Sequence, residues 1–112
     1  DNFIDLIVST DGTKTGRPGF RSKAGGVLTE EAGADDALAI GDREPFALGI
    51  VLSATDIEGF YSGTSTGTTA YSGMPDLIAE AFEPFTIGTA TITDLRIWSD
   101  ALSSASMVAV TS

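Results

Sequence analysis

A chain of 112 residues holds one domain with a single core. Its net charge of −10, from sixteen acidic and six basic residues, argues against partners whose phosphates need clustered Lys and Arg, so neither nucleic acid nor an anionic membrane is expected. With no Cys and no His, the composition excludes disulfides, thiolate chemistry, the commonest general base and the usual transition-metal ligands.

Taken in chain order, Phe3-Ile4-Asp5-Leu6-Ile7-Val8 predicts a first strand, and Asp11-Gly12 a turn after it. Residues 13–19 are broken by Gly and Pro and read as a loop. Four of the six basic residues, Lys14, Arg17, Arg21 and Lys23, fall on or near it. Arg17 is thus a candidate contact for an anionic group, against the simpler reading of a solvated loop. Phe20 to Leu28 reads as a weak strand pair, or one irregular strand, around Gly25-Gly26. Glu30 to Asp36 reads as an acidic loop or one helical turn, and Ala37-Leu38-Ala39-Ile40 as a short strand.

Phe46 to Leu52 is the best buried strand, with Gly49 marking a bulge or a close sheet-to-sheet approach. Ala54-Thr55-Asp56 turns it into Ile57-Glu58-Gly59-Phe60-Tyr61, giving a hairpin. Residues 64–69 read as a Ser/Thr/Gly loop before a short strand at Ala70-Tyr71. Pro75 to Phe82 suits one or two helical turns, with Pro first and Asp76 beside it. Phe85-Thr86-Ile87-Gly88 predicts a strand end and a turn, and Thr91 to Trp98 a long strand. Ser103 then caps a short helix, with Leu102 and Met107 as its hydrophobic staple and Met107 and Val110 closing one end of the molecule.

Two of these segments carry a resemblance. The run Ile87-Gly88 followed by Thr93-Asp94-Leu95-Arg96-Ile97-Trp98 and Ala101-Leu102-Ser103 resembles the closing segment of laminin-G-like, concanavalin A-like jelly-roll domains. Phe60-Tyr61-Ser62-Gly63 is similar to the Tyr-x-x-Gly hairpin of the same family, one residue shorter, and Pro45-Phe46 stands where a Trp is usual. The resemblance covers roughly residues 45–110. It implies an all-β fold, an antiparallel β-sandwich of the jelly-roll kind with a short helical turn near the C-terminus. It also implies a half-buried Trp98, and loop-borne binding of a carbohydrate or a protein surface. Complete domains of this kind are longer, so an open sheet edge, and with it a homo-oligomer or an assembly neighbour, is expected.

Candidate chemistry is sparse. Glycosidase catalysis needs two facing carboxylates about 5–5.5 Å apart in retaining enzymes. Glu30-Glu31, Asp35-Asp36 and Asp42-Glu44 fall in loop-like segments without that spacing, so surface acidity is the better reading. Calcium, which takes several carboxylate and carbonyl oxygens, is a candidate cofactor, with Asp11, Asp35, Asp36 and Asp42 as ligands if the fold gathers them; Asp94 and Asp100 are further alternatives. Each is otherwise a turn-forming Asp. Sugars stack on exposed aromatics, and Tyr71, in a Gly/Ser/Thr-rich region, is the better candidate, followed by Tyr61. Asn2 is the only side-chain amide, and there is no Gln, so hydroxyl-reading groups are scarce. The expectation is a non-catalytic recognition module binding glycan or a protein surface, in an extracellular or virion-surface setting. A structural surface component, such as a phage virion or tail decoration, is the runner-up, and a glycoside hydrolase fragment the least favoured. Because the chain begins at Asp1, it is read as a mature product, a trimmed piece or a domain of a larger protein.

Overall fold

The structure, a computed structural model, describes residues 2–9, 16–38, 45–81 and 92–112. Among the described residues six strands form two antiparallel sheets of three, followed by one helix. The first sheet comprises β1 (Phe3–Ser9), β2 (Arg17–Ala24) and β3 (Val27–Ala32), in the order β1-β2-β3. The second comprises β4 (Leu48–Leu52), β5 (Asp56–Tyr61) and β6 (Thr64–Ala70), in the order β4-β5-β6. Helix α1 spans Ser104–Thr111.

Two-residue turns set the register of two hairpins. Gly25 and Gly26 both have positive φ (56° and 86°), as do Ser62 and Gly63 (44° and 80°). Such turns match the twist of paired strands. Ala24 therefore faces Val27, and Tyr61 faces Thr64. The second turn carries residues 64–70 straight back along β5, so the expected Ser/Thr/Gly loop is a strand. A register shift at Gly59/Phe60 leaves Thr66 as the extra residue, and its hydroxyl donates to the Gly59 carbonyl at 3.2 Å.

Strand parity then decides which side chains meet. Ile4, Leu6 and Val8 lie opposite Ser22, Phe20 and Pro18, and Phe20 lies opposite Glu31, so these residues share one face of the first sheet. That face meets β5 and β6. The Phe20 ring fills the space over Gly59, and Thr69 donates its hydroxyl to the Glu31 carboxylate. Phe20, Ile57 and Phe60 are fully buried. The acidic run expected as a loop or one helical turn begins as the end of strand β3, through Ala32, and turns only at Asp35 and Asp36: Glu31 turns inward to Thr69, while Glu30 turns outward to Arg17 at 3.2 Å. Arg17, Pro18 and Gly19 likewise belong to β2, paired with Ser9, Val8 and Ile7. Pro18 needs no amide proton there, and its carbonyl accepts from Gly33 N at 2.8 Å.

Helix α1 starts as expected. Ser103 has extended backbone angles, and its hydroxyl accepts from Ser106 N at 3.2 Å. The helix covers the face of the second sheet turned away from the first. Ser104 donates to Glu58 at 2.7 Å, and Met107 lies against Gly49, opposite Phe60. Gly49 therefore admits a helix, where a bulge or a close sheet-to-sheet approach was expected. Met107 and Thr111 are its buried residues, whereas Val110 is exposed and does not close an end. Ala37 and Leu38 form a bend, not a strand, tied by Leu38 N to the Gly16 carbonyl at 2.9 Å. Between Pro75 and Ala81 there is one turn, closed by Glu80 N on the Leu77 carbonyl, with no helix. The Phe85–Gly88 strand end lies outside the described residues, as do Ala39 and Ile40.

Candidate functional site

Strand β4 is apolar along its length and, among the described strands, lies at the border of its sheet, paired with β5. A cleft of about 690 Å³ opens beside it. Leu48, Gly49, Ile50, Val51 and Leu52 all line that cleft. Consecutive residues alternate between the two faces of a strand, so a space touched by all five is bordered by the strand's edge, whose main-chain groups pair with no other described strand. Ile4 and Leu6 of β1 form the wall from the other sheet, the segment 93–102 forms a second wall, and Met74, Leu77 and residues of α1 complete it.

That segment was expected to be strand through Trp98, and here the structure differs. Residues 92–102 adopt neither strand nor helix, and among the described residues no main-chain hydrogen bond to another main-chain group holds them. High β propensity prepares a strand, but only a ladder partner completes one. The chain bends at Thr93, and beyond it Arg96 Nη2 reaches Asp94 Oδ2 at 2.8 Å and Nε reaches it at 3.1 Å, pairing residues two apart. Trp98, expected to be half-buried within the fold, is exposed at the cleft wall.

The cleft gathers most of the exposed apolar surface. Among the described residues twelve large apolar side chains are exposed, and eight of them line this one space. Leu6, Phe46, Met74 and Leu77 come from the first half of the wall, and Leu95, Ile97, Trp98 and Val110 from the second. Among the described residues the lining holds three charged side chains, Asp94, Arg96 and Asp100, and the first two neutralise each other. The resulting surface is apolar with a weakly charged rim, in a molecule whose overall charge is −10.

The residues singled out from sequence lie elsewhere. The Tyr71 hydroxyl donates to the Ser53 carbonyl, and its amide donates to the Thr55 carbonyl at 3.1 Å, so the side chain clamps the β4–β5 turn. Partial burial raises its pKa above the usual phenol value, and the charge of Asp56 adds to the effect. Tyr61 ends β5 opposite Leu48 and Thr64, half-buried. Arg17 pairs with Glu30 and lies 4.0 Å from Asp35, on the outer side of the first sheet. Nearby, Arg21 grips Asp5 through two hydrogen bonds, of 2.8 and 2.5 Å, and lies over the Phe3 ring, 5.6 Å from its centre. The Asp5 hydrogen bond raises the Arg21 pKa further.

Asp35 and Asp36 are exposed in the turn after β3, and Asp36 has positive φ, a conformation Asp tolerates in turns. Asp11 and Asp42 lie outside the described residues. Among the described residues no three acidic side chains come together as a cation site. The structure thus does not bring Tyr71, Tyr61, Arg17 and the two described Asp candidates into one site. Sequence reasoning missed the cleft because it joins segments far apart in the chain. The available signal was the apolar content of residues 92–98, which was read as a long strand with Trp98 half-buried. No family model, no curated protein and no solved structure matches this chain.

Proposed function

We infer that the chain is a non-catalytic recognition module that binds a protein surface through the cleft between β1, β4 and residues 93–102. The observation that carries this reading is the collection of eight exposed large apolar side chains around one open space. Scattered exposed apolar residues are ordinary, but a contiguous set of them marks an interaction site. Edge main-chain groups of β4 add a row of hydrogen-bonding positions along the same space, which suits a polypeptide.

A protein partner is favoured over glycan by the chemistry of the wall. Sugar hydroxyls are read by planar polar side chains, yet Asn2 is the only amide side chain in the protein and does not line the cleft. Assembly into a larger surface structure falls within the same reading, since the neighbour would then be the bound protein. An extracellular or virion-surface setting accords with the acidic, Cys-free composition. The contact between two antiparallel sheets supports a β-sandwich. For the jelly-roll, laminin-G-like order, strands must cross between sheets, whereas the described strands form two successive meanders.

Trp98 is the only tryptophan and lines the cleft, so its emission reports binding there. An apolar dye such as bis-ANS is expected to bind and quench it, and Ile97→Asp to weaken that binding about tenfold, the loss of one large apolar contact. Dye binding unchanged by Ile97→Asp removes the cleft from the argument. A glycan array run with calcium and again with chelator decides the ligand class. Selective binding there, lost in Trp98→Ala, would replace the protein partner by carbohydrate.

A further inference from the structure

The segment Ile92-Thr93-Asp94-Leu95-Arg96-Ile97-Trp98 has the composition of a strand and, among the described residues, no strand partner. Every one of its residues is exposed. Read backwards against itself about Leu95, it is self-complementary. In an antiparallel pair centred there, Leu95 faces Leu95, Asp94 faces Arg96, Thr93 faces Ile97 and Ile92 faces Trp98. Both charges then meet their opposites twice, and an aromatic ring meets a β-branched side chain at each end. These are the cross-strand pairs that stabilise antiparallel sheets, whereas like charges directly opposite each other oppose pairing.

We propose that the occupant of this open strand is a second copy of the chain, the two 92–98 segments pairing antiparallel about a two-fold axis at Leu95. Such a contact is isologous: each residue meets its mate in the other copy, and the contact closes at two without propagating. The charge pattern argues for this partner specifically, because the segment is locally neutral within a molecule of charge −10. A second copy is otherwise repelled, so a locally neutral, self-matching strip is where two such molecules can touch. Asp94 and Arg96 are more than half exposed (59% and 57%), and each exchanges its intrachain partner for one across the axis. The two clefts, each walled by one of the paired segments, then flank the axis. This dimer goes beyond the recognition reading above and does not depend on it.

The test is sedimentation equilibrium of the full chain in about 0.3 M NaCl, which screens the repulsion between copies. The wild type is expected to form a monomer–dimer equilibrium. Asp94→Arg alone and Arg96→Asp alone each turn both cross-axis ion pairs into like-charge pairs, and each is expected to weaken dimerisation about tenfold or more. A 1:1 mixture of the two variants restores opposite charges at both positions and is expected to recover the wild-type affinity as a heterodimer. Far-UV circular dichroism confirms that each exposed variant keeps its fold. A wild type still monomeric at about 1 mM, the edge of measurable affinity, overturns the proposal. Single variants that dimerise like the wild type also overturn it, as does a mixture no tighter than its components.

Discussion

At Gly59 the two sheets come closest. A Cβ there would lie 2.1 Å from Phe20 Cδ2 and 2.5 Å from Cε2, inside van der Waals contact with a ring that is itself fully buried. The ring has no free space to retreat into, so Gly59→Ala is expected to lower stability by about 1–3 kcal/mol, read by urea denaturation. Tyr71 makes a different kind of contribution, through one hydroxyl on the Ser53 carbonyl. Tyr71→Phe is expected to lose about 1 kcal/mol near neutral pH. Its raised pKa adds a pH dependence of known sign. The folded state favours the neutral phenol, so its contribution is complete below the unfolded value near 10 and is lost as pH rises through the higher folded value. Denaturation midpoints should therefore fall above about pH 10 in the wild type and fall less in Tyr71→Phe. Tyr71 was legible in the sequence as a residue with a polar handle. Whether that handle met a ligand or a carbonyl depended on the turn folding beside it.

Among the elements, α1 shows how far local signals reach. Its start was readable because Ser103 caps the helix within three residues, without help from the rest of the chain. Its docking was not readable, because the contact that seats it is Met107 on Gly49, fifty-eight residues away. Thr111 fastens the other end by accepting from Gly63 N at 3.2 Å and donating to the Met107 carbonyl at 2.8 Å. Eight residues are too few to hold a helix in water by themselves, so cap and docking act together. Ser103→Ala is expected to cost about 1 kcal/mol, seen as a lower thermal midpoint with loss of helical ellipticity at the same temperature. Strand β6 makes the converse case. Its Thr, Ser and Gly residues read as a loop, but a two-residue turn and a ready strand β5 impose pairing on them. Residues 92–98 have the stronger intrinsic preference and no ladder.

For the whole molecule, charge is the dominant long-range term. Sixteen acidic residues are opposed by six basic ones, and Arg17, Arg21 and Arg96 are each paired with carboxylates. Those pairs are partly exposed and contribute little each, whereas repulsion among the unmatched carboxylates acts across the entire surface. Raising NaCl from about 0.01 to about 0.5 M shortens the screening length several-fold and is expected to raise the thermal midpoint. A midpoint that falls with salt would mean that the local pairs outweigh the general repulsion.

The sequence by itself determined the mostly β character, strands β1, β4 and β5, the β4–β5 turn and the capped C-terminal helix. Each of these follows from residues close in the chain: alternation of period two, a short polar turn in which the Ser53 hydroxyl accepts from Thr55 N and Asp56 N, or a cap and its first turn. Only the tertiary structure decided that Glu31 turns inward to Thr69, that Gly49 receives a helix, and that Leu95, Ile97 and Trp98 border a cleft beside the open edge of β4. Local propensity states which conformation a segment favours. Whether a strand finds a ladder, and what its apolar face covers, depends on which distant segments the fold brings within hydrogen-bonding and van der Waals reach.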